Sequence, residues 1–134
     1  MLLTEAVTGS AAEPDSCAVS QVDPDRVAAA RRHLLDIEEA EGLAACFRLL
    51  GDPKRVRILY ALREAGELCV CDIAAAAEVS DTTVSHAMRL LRTAGIVRHR
   101  RGGRMVYYRL DDAHVRLLLD VSRQHVVQEG AERR

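Results

Sequence analysis

From Asp23 onward the apolar positions recur every three or four residues, the spacing that sets one stripe of a helix against a core. Asp23-Pro24 opens the first helix, the aspartate as N-cap and the proline at the first helical position, and the pattern carries it to about Ala40. A second helix of similar spacing follows through Leu43, Cys46, Phe47 and Leu50. Gly51-Asp52-Pro53 restarts the pattern, and Val56, Ile58, Leu59, Ala61 and Leu62 make a third helix that Gly66 ends. A short alanine-rich fourth helix follows Cys71, and Ser80 or Asp81 caps a fifth, running through Val84, Met88, Leu90 and Leu91 to Gly95. Ile96–His99 and Met105–Leu110 then read as strands around Arg100-Arg101-Gly102-Gly103-Arg104, a hairpin with a Gly-Gly turn. A last helix runs from Asp112 to about Glu129. Residues 1–22 show no period and are expected to form a flexible arm that carries Cys17, leaving a folded domain over 23–130 and a tail at 131–134.

The fourth and fifth helices, joined by the short turn Glu78-Val79-Ser80, have the spacing of a helix-turn-helix. The fold class expected is therefore mainly α with a small β-hairpin, a winged helix-turn-helix. Composition agrees with one small domain: 134 residues, 49% hydrophobic, with one Phe, three Tyr and no Trp, imply a core of Leu, Val, Ile and Ala that a partner subunit completes. No run of about 18 apolar residues occurs, and Met1-Leu2-Leu3-Thr4-Glu5 lacks the basic start of a signal peptide. The expectation is a cytoplasmic protein with no membrane partner and with reduced cysteines.

The net charge of −1 conceals a segregation. Residues 1–41 hold nine acids against three arginines, whereas Thr82 to Leu110 contains Arg89, Arg92, Arg98, Arg100, Arg101, Arg104 and Arg109 and no acid. Such a stripe binds phosphates even on a nearly neutral molecule; standing alone it is equally a solvated face, but here it coincides with the helix-turn-helix and the hairpin. Thr82, Thr83, Ser85, His86 and Arg89 on the fifth helix and Arg100, Arg101 and Arg104 on the hairpin are the candidate contacts to double-stranded DNA.

Glu67-Leu68-Cys69-Val70-Cys71-Asp72 carries the other chemistry. Cysteines one residue apart seldom reach disulfide geometry, so a soft cation is the natural bridge, and a helix start adds backbone N–H groups that favour anionic sulfur. On the last helix, His114 and His125 are eleven residues apart and share a face to within about 20°, but stand about 16 Å apart along the axis. One ion cannot touch both. Two copies packed antiparallel would bring Asp112 and His114 of one to His125 and an acceptor near residue 128 or 129 of the other. The same residues also suit ordinary polar positions on a half-exposed helix.

With these residues in hand, the chain resembles the ArsR/SmtB family of metal-responsive winged-helix repressors, and within it the CadC-like branch that senses cadmium and lead. The resemblance covers roughly residues 17 to 129. It is carried by Asp52-Pro53-Lys54-Arg55-Val56-Arg57-Ile58-Leu59, the cysteine box through Ala74, Val84-Ser85-His86 to Leu91, Val106-Tyr107-Tyr108-Arg109-Leu110 and the Asp112/His114/His125 spacing. It implies a homodimer with N- and C-terminal dimerisation helices that binds operator DNA without metal and leaves it when metal binds, derepressing efflux or resistance genes. It also implies a thiolate site shared between protomers, Cys17 of one with Cys69 and Cys71 of the other, taking Cd(II), Pb(II) or Zn(II) as regulatory ligand. Arsenic sensors of the family commonly carry a third cysteine where this chain has Ala74, and CadC-like members a second arm cysteine where it has Gln21. Asp112, His114 and His125 match the family's zinc ligands, but the fourth position falls on Gln128, leaving neighbouring Glu129 as the replacement in a weaker site. Cys46 matches no ligand position and reads as a small core residue; His33, His86 and His99 read as surface or DNA-facing groups. Two alternatives share the residues: a thiol-oxidation sensor on the same fold, and a cytosolic metal-binding protein that needs no DNA. An enzyme is not expected, since no nucleophile has a neighbouring base and no phosphate-binding glycine loop is present.

Overall fold

The structure, a computed structural model, describes residues 21–133, and the chain divides into two units, Met1–Glu39 and Ala40–Arg134. In the first unit α1 spans Pro24–Arg32, with Pro24 in its first turn and the Asp23 carboxylate accepting from the Arg26 N–H at 3.1 Å. The helix expected to continue to about Ala40 stops at Arg32, and α2 (Ile37–Leu50) begins after four intervening residues. The reason is local. The Asp36 carboxylate accepts from the Glu39 N–H at 2.8 Å and caps a new helix, and aspartate's affinity for nearby backbone groups favours a cap over a helix interior. Leu34, Leu35 and Ile37 keep the apolar spacing across the break, which is why periodicity alone carries the first helix on to about Ala40.

The second unit is assembled from capped pieces. α3 (Pro53–Ala65) starts on Asp52, whose carboxylate accepts from the Arg55 N–H at 3.0 Å, and ends at Gly66, whose φ of +89° suits a residue without a Cβ. Arg55 reaches back from this helix, its Nε donating to the Leu49 carbonyl at 2.6 Å, and so satisfies an acceptor at the end of α2. β1 (Leu68–Cys69) runs without a loop into α4 (Val70–Ala77), a left-handed Glu78 turns the chain, and Ser80 caps α5 (Asp81–Thr93). Between the two caps left open by the sequence, Ser80 is the one used: its Oγ accepts from the Thr83 N–H at 3.0 Å. The core fills the angle between α3, α4 and α5 with Leu59, Leu62, Ile73, Val84, Met88 and Leu91.

β2 (Val97–Gly102) and β3 (Met105–Leu110) form the hairpin, and β1 joins it, giving an antiparallel sheet in the order β1-β3-β2. Two expectations change here. β1 is a strand that two residues are too few to announce by alternation. Arg100, Arg101 and Gly102 belong to β2 rather than to the turn, because Gly102 pairs with Met105 and leaves only Gly103 and Arg104 at the tip, with Gly103 at φ +65°.

α6 (Ala113–Glu132) is tied to α3 by polar contacts. The Tyr60 hydroxyl donates to the Leu119 carbonyl at 2.5 Å, and Arg63 grips Asp120 through Nε at 2.9 Å and Nη2 at 3.2 Å. Only Leu119 of this helix is buried, and Leu117, at 60% exposure, and Val121, Val126 and Val127 face outward, as does Phe47 of α2. No helix among the described residues is long and apolar enough to cross a membrane.

Met88 is wholly buried and Ser85, in the outward stripe of α5, is exposed. Met88→Ala is expected to cost about 2–5 kcal/mol in chemical unfolding, and Ser85→Ala less than about 0.5 kcal/mol. The side-chain hydrogen bond from Arg63 holds the Asp120 carboxyl below the ordinary carboxylate range. Unfolded chains therefore bind the proton more readily, and the pair's contribution, complete above the unfolded value of about 3.9, fades as pH falls through the lowered folded value. Unfolding midpoints at pH 6 and in strong acid are expected to diverge less in Asp120→Asn than in the wild type.

Candidate nucleic-acid interface and thiolate site

α5 presents two stripes. Val84, Ala87, Met88 and Leu91 are buried at spacings of three, four and seven residues, and Thr82, Ser85, His86 and Arg89 repeat that spacing on the exposed side. The outward stripe is short, polar and basic, the chemistry that reads base edges when a helix lies in the major groove. Thr83, also a candidate contact, is half-buried and engaged in the cap, its Oγ1 accepting from the Ser80 hydroxyl at 2.8 Å. The turn before α5 is braced from α3 by Arg57, whose Nη2 lies 2.7 Å from Glu78.

Two arginines of the basic stripe are ion-paired. Arg98 pairs with Asp111, and Arg100 pairs with Glu67, its Nη2 2.7 Å from Oε1 and its Nε 3.0 Å from each carboxylate oxygen. The Arg100 guanidinium also stacks 4.8 Å from the centre of the Tyr107 ring. Its hydrogen bonds hold the Glu67 carboxyl below the usual range. Arg89, Arg101 and Arg104 are exposed and make no ion pair among the described residues. Acids outside residues 82–110 thus neutralise two of the seven arginines, a pairing across 33 residues for Arg100 that no local reading of charge detects. Of the histidines read as surface groups, His33, His86 and His99 are all exposed, and His99 sets its ring edge against Tyr108.

Cys69 and Cys71 are free thiols in different surroundings. Cys69 is the last residue of β1, the N-cap of α4 and, at 5% exposure, part of the core; Cys71 lies in the first turn of α4 and is exposed. Cys46 is half-buried against the core, in keeping with a packing role. The box provides two soft donors at a helix start, a set that fits a soft cation. Among the described residues no three His, Cys, Asp or Glu side chains converge. Cys17 lies outside the described residues.

On α6, Asp112 is the N-cap. Its Oδ1 accepts from the His114 and Val115 N–H groups at 3.0 and 3.1 Å, and Oδ2 lies 3.5 Å from His114 Nδ1. The Val115 N–H above all, with His114, holds this carboxyl below its ordinary range. Asp112 and His114 therefore meet within one chain. His125 is exposed near the far end, and Glu129 pairs there with Arg133 at 3.4 Å, so the two halves of the candidate set stand at opposite ends of α6.

Sequence reasoning missed three contributors: the strand β1, the acid Glu67 and Gly102. A Cβ at Gly102 would stand 2.9 Å from Cε2 of Tyr107, so the glycine makes room for the ring. The signal for Glu67 was its place in the box; that of Gly102 was hidden in an expected turn.

The chain is similar to known proteins over this same ground. The model of the bacterial regulatory protein arsR family matches residues 52–99, from the cap of α3 into β2. Over 111 residues the chain is 41% identical to the cadmium resistance transcriptional regulatory protein CadC homolog of Staphylococcus aureus, covering 83% of this chain and 91% of that one. The crystal structure of the AntR antimony-specific transcriptional repressor superposes with a TM-score of 0.65 at 30% identity, covering 87% of this chain and 100% of that one. The homodimeric winged helix-turn-helix DNA-binding domain of a Mycobacterium bovis protein gives 0.63 at 28% identity, over 76% and 95%. With its capped helix-turn-helix, its basic hairpin and a relative matched along nearly its whole length, the chain belongs to the arsR family of bacterial regulatory proteins.

Proposed function

We propose that this protein is a metal-responsive transcriptional repressor that binds double-stranded operator DNA as a metal-free homodimer and leaves it when Cd(II), Pb(II) or Zn(II) binds, derepressing metal efflux or resistance genes in the cytoplasm. The observation that carries the proposal is the position of Cys69, which belongs at once to the sheet of the wing and to the first helix of the helix-turn-helix. Anything that reorganises this residue acts on both parts of the DNA-binding surface.

Other features support the rest of the reading. The outward stripe of α5 supplies Thr82, Ser85, His86 and Arg89 for base edges, with Thr83 at the helix start, and exposed Arg101 and Arg104 supply phosphate contacts. Arg100 belongs to this surface through the wing it braces. The exposed apolar side chains of α2 and α6 suit burial against a second copy, and the Mycobacterium bovis domain of the same fold is homodimeric. The Staphylococcus aureus relative is a cadmium resistance regulator, while the same fold serves an antimony-specific repressor, so it is the donor set and not the fold that selects the metal.

Cys69 and Cys71, with Cys17 on an arm over residues 1–22, would hold the cation. Bound there, a soft cation would cross-link thiolates of two protomers and neutralise their charge. Asp112, His114, His125 and Glu129 form a weaker second site, because Asp112 is already engaged as a cap and Glu129 with Arg133. A ligand displaces a repressor only by preferring one of its conformations, so metal and operator must favour different arrangements of the reading heads.

Operator titrations with each metal test this directly. Cys17→Ser is expected to lose the Cd(II) and Pb(II) responses, and His125→Ala to weaken the Zn(II) response alone. A wild-type protein that keeps its operator at saturating levels of all three metals would refute the reading. Arg104→Ala is expected to weaken binding to every sequence alike and to lower the salt slope by about one.

A further inference from the structure

One face of the wing sheet carries an arrangement that neither the thiolate ligands nor the reading helix requires. Cys69 is paired with Tyr107 across β1 and β3, and Tyr107 with Arg100 across β3 and β2. Residues directly opposite on neighbouring strands send their side chains to the same side. Cys69, Tyr107 and Arg100 therefore form one row across the sheet, a thiol, a phenol ring and a guanidinium in order. Glu67, two residues before Cys69, falls on that side as well and closes the row with its two-pronged pair to Arg100 at 2.7 and 3.0 Å. Gly102 completes the arrangement: an added Cβ would lie 2.9 Å from the Tyr107 ring and 3.1 Å from Arg100 Nη1.

We propose that this row links the thiol box to the wing, with Glu67, Tyr107 and Arg100 as positioning residues that make occupancy of the box felt at the wing. The proposal rests on the metal-responsive reading above and names the route by which that response reaches the DNA-binding surface. β1 has only two residues, so few backbone hydrogen bonds hold it to β3. The bidentate, ring-stacked ion pair supplies the remaining hold between the box and the hairpin. Its other end is at the wing, since Arg100 is directly followed by Arg101 and the tip residue Arg104 is three further on. A shift of Leu68-Cys69 around a ligated sulfur is thereby handed to Tyr107 by the ladder and to Arg100 by the clamp. Coupling of this kind is reciprocal: operator that fixes the wing opposes the same shift at the box.

The test uses the full chain, operator DNA and Cd(II), with cadmium binding followed independently by thiolate-to-metal charge-transfer absorbance. Glu67→Gln and Tyr107→Leu are expected to keep the charge-transfer band and its stoichiometry while shrinking the cadmium-induced change in operator affinity by about three- to tenfold. Tyr107→Phe, which keeps the ring under Arg100, is expected to retain the wild-type change. Gly102→Ala, which crowds both the ring and the Arg100 guanidinium, is expected to behave like Tyr107→Leu and provides the reading should either of the first two variants fail to fold. A Glu67→Gln protein with an intact cadmium band and an undiminished loss of operator affinity would overturn the link while leaving the metal-responsive reading in place. A wild-type protein that binds cadmium and keeps its operator overturns the link, and one that keeps its operator with lead and zinc as well overturns that reading too.

Discussion

Between Leu68 and Val70 the chain passes from sheet to helix with no residue to spare, and the rest of the DNA-binding surface depends on that junction. Cys69 ends β1, caps α4 and is buried in the core, so its backbone is constrained by a strand ladder on one side and a helix start on the other. A loop of even a few residues would let the wing and the helix-turn-helix move independently. Without one, the hairpin, α4 and, through the Glu78 turn, α5 share one fixed point. Close-packed interiors respond to a local change by switching between arrangements rather than by soft deformation, which suits such a junction to a two-state response.

Charge on this surface is sorted by pairing more than by composition. Glu67 and Asp111 take up Arg100 and Arg98 and stiffen the base of the wing, while Arg101 and Arg104, nearer its tip, carry no partner among the described residues. Exposed ion pairs contribute little to stability, and these two act through geometry: each fixes where a strand residue points. The free arginines remain available to phosphates, so a nearly neutral chain still presents a basic edge.

Much of this was legible in the chain because it is written in short-range signals. Asp52-Pro53, Gly66, Ser80 and Gly95 each mark a helix end by a cap or by a backbone conformation that few residues adopt, and the structure uses all four. The opposed stripes of α5 were equally readable from periodicity. The break at Asp36 was not, since a capping aspartate within a continuing apolar pattern looks the same as one on a helix surface. Contacts between distant residues were also beyond reach: the pairing of Glu67 with Arg100 depends on β1 joining the hairpin, and two residues carry no period from which to infer a strand. From spacing alone the cysteine box was legible as a donor pair, Cys17 entering only through the family resemblance, and the spacing of Cys69 and Cys71 did not show that one is buried and the other exposed.

If the thiol box and the wing move as one piece, backbone hydrogen exchange on the DNA-free protein registers the coupling when Cd(II) is added. Cadmium is then expected to alter exchange at residues 105–109 of β3 together with residues 67–71 of the box. A change confined to the box, with the amides of β3 exchanging as in the metal-free protein, would show that the two parts are independent.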